Sequence, residues 1–168
     1  MTAPDLEVTQ VLTASPAAVA SAWSSPETIE QWWGPAGFTS TVRELRFTDG
    51  GVLDIVMRSP DGAEFSNVYD FQIVDLPSRI EYAHRGSVEW GLSPSRTVVL
   101  IASDPRDPKL TRVSWLSYYA TDEDRRKHLE ESHAEAGARE LLGRLESVAA
   151  SLDRRAVTDK RHDDVERQ

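Results

Sequence analysis

Ile80, Tyr82 and His84 alternate with Glu81, Ala83 and Arg85. If that stretch is a strand, the first three share a face, because side chains alternate at period two. An imidazole one step from a phenol could orient a ligand, or move a proton near neutral pH. The same histidine could also be an ordinary hydrogen-bonded one at a strand end. Three further runs behave in the same way. Leu53, Ile55 and Met57 share one side. Tyr69 and Phe71 lie in a second set with Phe65, Asn67 and Ile73. Val113, Trp115, Ser117 and Tyr119 form a third. Facing one another, these residues would make an apolar wall with a few polar tips, which is the make-up of a small-molecule pocket. It is equally the make-up of an aromatic-rich core. If the chain is an enzyme, His84 and Tyr82 are its candidate proton-transfer groups. The residues name no other catalytic set.

Several chemistries are excluded or unsupported. His128 and His133 are five apart, about 140° around a helix, whereas a zinc-binding helix needs its histidines four apart on one face. No metal and no cofactor is expected. Gly34-Pro35-Ala36-Gly37 lacks the lysine and hydroxyl residue of a phosphate loop. No Gly-x-Ser-x-Gly elbow occurs. Asp54 and Glu44 fall on polar strand faces, away from any cleft a carboxylate pair would need. The 168 residues carry 28 acidic and 19 basic side chains, net charge −9. That balance argues against binding a nucleic-acid backbone. There is no cysteine, which removes disulfides and thiolate chemistry and suits a reducing, cytoplasmic setting. No apolar run approaches the ~20 residues of a membrane span, and Met1-Thr2-Ala3-Pro4-Asp5 does not open like a signal peptide.

The elements that must position the inward residues can be read in order. Leu6 to Leu12 alternates as a strand. Ser15-Pro16 and Ser25-Pro26 each pair a capping serine with a proline at the first helical position, so two short helices follow. Ile29, Trp32 and Trp33 share a side of the second. This Trp pair is either an exposed patch for a partner or packing against the sheet. Gly34-Pro35-Ala36-Gly37 ends the helix. Strands are then expected from Phe38 to Phe47, Val52 to Arg58, Phe65 to Val74, around Ile80 to Arg85, Thr97 to Ala102 and Thr111 to Ala120. Turns at Asp49-Gly50-Gly51, Pro60-Asp61-Gly62 and Leu76-Pro77-Ser78 separate the earlier ones. Ser87 to Ser95, including Trp90, reads as a loop, as does Asp104 to Pro108. Thr121 with Asp124 three residues on is a helix start. From about Arg125 to Leu152 one continuous helix is expected. Its apolar stripe is Leu141, Leu145, Val148 and Leu152, extended backwards by Ala138 and Ala134. Ala138 and Leu141 are therefore the helix's share of the inward set.

This order gives an α+β fold: a seven-stranded antiparallel sheet curled around a long C-terminal helix, with two short helices after the first strand. Residues 1–152 form one domain. Residues 153–168 are a charged tail without periodicity, expected to be disordered. The gap between sheet and helix is where a cavity belongs.

Ser15-Pro16-Ala17-Ala18-Val19, Trp32-Trp33-Gly34-Pro35-Ala36-Gly37-Phe38, Gly50-Gly51, Met57-Arg58-Ser59-Pro60-Asp61-Gly62 and Ile73 to Ile80 together resemble one family. It is the family of homologues of the activator of heat-shock-chaperone ATPase, within the START and birch-pollen-allergen-like (SRPBCC) helix-grip superfamily. The resemblance runs from about residue 6 to 152. It implies a helix-grip, START-like domain. It also implies one of several roles: carriage of a hydrophobic, lipid- or polyketide-like small molecule, a cyclase/aromatase-type reaction in the same cavity, or a protein partner as in the chaperone activators. The first is the reading adopted, with no oligomeric state implied. Relatives often carry Gly-Trp where this chain has Gly137-Ala138. An unfilled Trp-to-Ala gap in a core costs about 3–5 kcal/mol. Either a neighbour such as Trp115 fills it, or the cavity is larger.

Overall fold

The computed structural model describes residues 2–89 and 91–167; Met1, Trp90 and Gln168, the ends and one loop residue in the reading above, lie outside the described residues. Seven strands form one antiparallel sheet: β1 (Leu6–Leu12), β2 (Thr39–Leu45), β3 (Val52–Arg58), β4 (Glu64–Asp75), β5 (Arg79–His84), β6 (Ser95–Asp104) and β7 (Asp107–Tyr119). Their order in the sheet is β1-β7-β6-β5-β4-β3-β2. The two helices α1 (Pro16–Ser21) and α2 (Pro26–Ile29) sit between β1 and β2, and α4 (Ala134–Glu166) closes the chain. This is the helix-grip arrangement expected from the sequence.

The two Ser-Pro devices work as read. Ser15 Oγ accepts from the Ala18 amide at 3.2 Å and Ser25 Oγ from the Thr28 amide at 3.3 Å. Ser15 does a second job. Its backbone N–H and its hydroxyl donate to the two carboxylate oxygens of Asp153 on α4, at 2.8 and 2.7 Å. Thr13 N–H donates to Glu146 on the same helix at 2.8 Å. The β1–α1 corner is thus fastened to α4 by charge-assisted bonds. Arg144 fastens the other corner, donating to the carbonyls of Trp32 (3.3 Å) and Gly34. Around and between these latches α4 buries Leu142, Leu145, Val148 and Ala149.

Four expectations are corrected. The helix does not run unbroken from Arg125. Instead, α3 (Asp122–Arg126) passes into a π-helical turn (Lys127–Glu131), and His133, at φ 50°, ends it before α4 begins. A left-handed residue cannot continue an α-helix, so the chain changes direction there. In β4 the register slips between Phe71 and Ile73. That bulge moves Ile73 off the shared face and brings Val74 opposite the fully buried Ile80. Pro108 stands inside β7 rather than in a loop. It is tolerated because β1 pairs with β7 only as far as Thr111, which leaves Pro108 beside a free edge. Finally, the tail read as disordered continues α4 as far as Glu166, exposed from Arg154 onward. No proline or glycine interrupts it, so the helix has no reason to stop where its packing stops.

Candidate functional site

The space between sheet and helix divides into a filled part and an empty part. Trp23, on the turn after α1, fills the first and is completely buried. Around it stand Trp32, Trp33, Phe47, Tyr82 and Trp115, with ring centroids 4.9–6.2 Å away in edge-on, tilted and stacked arrangements. Such pairs add to simple burial. Trp32 and Trp33 are both buried, so the Trp pair is packing rather than an exposed patch. Trp32 Nε1–H donates to the Ala22 carbonyl at 2.9 Å.

Beyond this plug lies a cavity of about 400 Å³. Of the residues picked from alternation, Met57, Tyr69, Tyr82, His84, Trp115 and Leu141 line it. Leu53, Ile55, Phe71 and Val113 do not; they are sealed in the core. Ser117, nearly buried, and Tyr119 lie in β7, paired with Thr97 and Ser95 of β6. Ala138 packs against the core, and its neighbour Gly137 lines the cavity instead. Trp33, Gly34, Pro35, Asn67, Leu92, Ser95, Thr97, His128 and Ser132 complete the lining and were not picked. Asn67 and Thr97 were within reach, since each alternates with a chosen residue. His128 and Ser132 arrive through the π-turn, which left no mark in the sequence.

Gly34 sets one edge of the cavity. It has φ +99°, and a Cβ there would meet Met57 Sδ at 3.0 Å and Ser40 Oγ at 3.3 Å. Only glycine allows both that conformation and that approach. Arg144 holds its carbonyl from the helix side.

His84 is held at both ring nitrogens. Nδ1 accepts from the Gly86 amide at 3.1 Å, so the ring hydrogen sits on Nε2 and is donated to Asn67 Oδ1 at 2.9 Å. Asn67 in turn donates to the Phe65 carbonyl at 3.2 Å. Burial pushes the His84 imidazole below its usual 6.5, and nearby His128 adds to this. His128 is also pushed down by burial, against the pull of Asp124. Its ring stacks on Tyr119, centroids 4.4 Å apart and 8° from parallel. Burial pushes the Tyr69 hydroxyl up to about 12, opposed by a hydrogen bond from the Trp33 side chain. Tyr82 is also raised well above its usual value, first by burial and then by Tyr69, with the neighbouring Thr97 hydroxyl opposing. None of the described lining residues is an acid, a lysine or an arginine. The cavity is therefore aromatic-walled, uncharged at neutral pH, and polar at one end.

A larger groove of about 470 Å³ runs beside α4 at Gln31, Ala36, Arg144 and Ser151, but no aromatic ring lines it. Among the described residues, no group of three or more histidines and acids is placed to hold a metal ion. No helix among them is long and apolar enough to cross a membrane.

Solved structures of similar shape come from several bacteria. A solution structure of a protein from Arthrobacter aurescens has a TM-score of 0.75 at 22% identity, over 86% of this chain and 85% of that one. A crystal structure of a protein from Mycobacterium smegmatis has a TM-score of 0.72 at 21% identity, over 88% and 91%. A solution structure from Staphylococcus epidermidis has a TM-score of 0.74 at 20% identity, over 90% and 93%. At such identities these are likenesses of fold. No curated protein matches. The family described as activator of Hsp90 ATPase homolog 1-like protein matches residues 13–150, which begin just after β1 and take in the tryptophan plug, the whole cavity and the packed part of α4. The chain belongs to that family.

Proposed function

We propose that this protein binds a hydrophobic small molecule, lipid- or polyketide-like, in the cavity between the sheet and α4. The observation that supports the reading is the cavity itself. A domain used only as an interaction module has no need of an aromatic-walled cavity, and about 400 Å³ falls within the size range of small-molecule sites. The state of His84 favours binding over a cyclase-type reaction. A general base needs a free nitrogen within reach of the proton it takes, and both nitrogens of His84 are already engaged by Gly86 and Asn67.

The test uses Gly137. Nothing stands within 4 Å of a Cβ built there, and the residue lines the cavity. Gly137→Leu is expected to stabilise the fold by roughly 0.5–1 kcal/mol, since glycine inside a helix is unfavourable. The same leucine side chain should take up cavity space and weaken any ligand. Titration of wild type and variant with aromatic and aliphatic probes, beside a urea melt of each, reads both effects. A variant that is more stable yet binds every probe as well as wild type would place the ligand elsewhere.

A further inference from the structure

The polar end of the cavity is unequal in what it offers. The Tyr69 hydroxyl lies beside the Trp33 indole N–H, which can only donate, and the Tyr82 hydroxyl lies beside that of Thr97, where either oxygen can be the donor. Tyr69 therefore keeps its own O–H to give, and Tyr82 turns its O–H to the same side when Thr97 donates to it. The two rings are 5.5 Å apart and nearly perpendicular, at 89°. Both line the cavity. Next to them Asn67 has its oxygen taken by His84 and one amide hydrogen taken by Phe65, so what it has left to give is a second amide hydrogen. His84 has nothing left to give or accept. The Tyr69–Tyr82–Asn67 wall can thus present three donors to the cavity.

A donor wall in a low-dielectric site calls for an acceptor, because buried donors left unmet are costly. A carboxylate would supply one, but its charge would meet no cation among the described lining residues, and an unpaired charge is costly to bury. An uncharged carbonyl supplies the acceptor without that cost. Its hydrocarbon part would lie against Trp33 and Trp115, where flat rings pack well.

We infer that the cavity selects an uncharged aromatic ligand bearing a carbonyl group, and seats the carbonyl oxygen between the hydroxyls of Tyr69 and Tyr82. This rests on the ligand-binding reading above. With its hydroxyl raised to about 12, Tyr69 remains a donor throughout the neutral range.

A matched pair of probes separates this inference from that reading. 2-Acetylnaphthalene and 2-ethylnaphthalene have nearly the same shape and differ in the carbonyl. In calorimetric titration of the wild-type chain the ketone is expected to bind about tenfold more tightly, the equivalent of one to two net hydrogen bonds. In Tyr69→Phe and Tyr82→Phe the preference should shrink, and in the double variant it should vanish, with the hydrocarbon's affinity unchanged throughout. The carbonyl stretch of the bound ketone should fall to lower wavenumber in wild type and recover in the double variant. Equal affinities for the two probes in wild type would overturn the inference and leave the cavity reading standing. A preference that survives both substitutions would also overturn it, since the oxygen would then sit elsewhere. If neither probe binds, the inference and the cavity reading fall together. Should the double variant not fold, as judged by near-ultraviolet circular dichroism, the single variants and the wild-type infrared shift decide.

Discussion

Trp23→Ala is expected to cost about 3–5 kcal/mol of folding stability, the range for emptying a tryptophan site in a core. Trp23 is completely buried and touches Trp32, Trp33, Phe47, Tyr82 and Trp115. Removing it withdraws the common support of α1, α2 and the sheet. Trp23→Phe should be far milder than Trp23→Ala. Among the described residues the Trp23 Nε1–H has no hydrogen-bond partner, so phenylalanine gives up no hydrogen bond and loses only part of a ring. Trp32→Phe makes the comparison sharp. There the indole N–H does have a partner, the buried Ala22 carbonyl, and stranding a buried acceptor costs about 1–3 kcal/mol. Urea denaturation of the two phenylalanine variants should therefore rank Trp32→Phe as the more damaging. Equal losses would mean that the Trp23 N–H is satisfied after all.

Acid should loosen the cavity end of the molecule before the rest. His84 and His128 are both held below the usual 6.5, by burial first in each case. A histidine lowered in the folded state binds its proton better when unfolded. Its contribution is therefore complete above pH 6.5 and is lost as pH falls through the folded value. Protonated His84 could no longer accept from the Gly86 amide. Protonated His128 would face His84 on one side and gain Asp124 on the other. The lowered carboxyls act in a second window. Arg85 holds Asp70 down, Thr121 holds Asp124 down, and both start from 3.8, so their contribution goes only in stronger acid. At the alkaline end the sign reverses. Tyr69 is raised from 10.0 to about 12 and Tyr82 is raised too. Their stabilisation is whole below pH 10 and is lost as pH climbs through the folded values. Urea midpoints measured from pH 8 to pH 5 should fall. A His84→Asn, His128→Asn double variant should be flatter over that span. A wild-type profile already flat there would contradict the assigned burial of both rings.

Much of the fold was legible because its devices are local. A serine before a proline caps a helix whatever surrounds it, and Ser15 and Ser25 both do so. Strict alternation likewise placed Leu53, Ile55, Tyr82 and Trp115 on the inner face. Which of them would meet empty space was not legible. Alternation says which way a side chain points, whereas a void depends on what fills the opposite side. Here Trp23 and Trp33, which follow the short helices, supply much of that filling; Leu53 and Phe71 are buried while Tyr69 and His84 stay on the lining. The bulge in β4 and the break at His133 escaped for a different reason. Both depend on backbone conformations that usually announce themselves with glycine or proline, and Gln72 and His133 are neither. The α4 extension was misread because charge without periodicity describes an unpacked surface equally well on a coil and on a helix.

The latches along the middle of α4 bear on how fast a ligand can come and go. Arg144, Glu146 and Asp153 tie the helix to the tryptophan corner and to the β1–α1 corner, which resists separation of the helix from the plug. The opposite wall carries His128 and Ser132 on a π-turn that ends at a left-handed residue, with no side-chain cap at either the turn or α4. The cavity meets solvent along this wall, where Ser132 and Gly137 are exposed, so a ligand that fits only after the turn shifts waits on a step it cannot hurry. In stopped-flow mixing the observed rate should rise with ligand concentration and then level off at the opening rate. A Ser132→Pro change, which removes the Ser132 N–H that donates to the Lys127 carbonyl at 2.9 Å and so loosens the joint, should raise that plateau while leaving the latched end untouched.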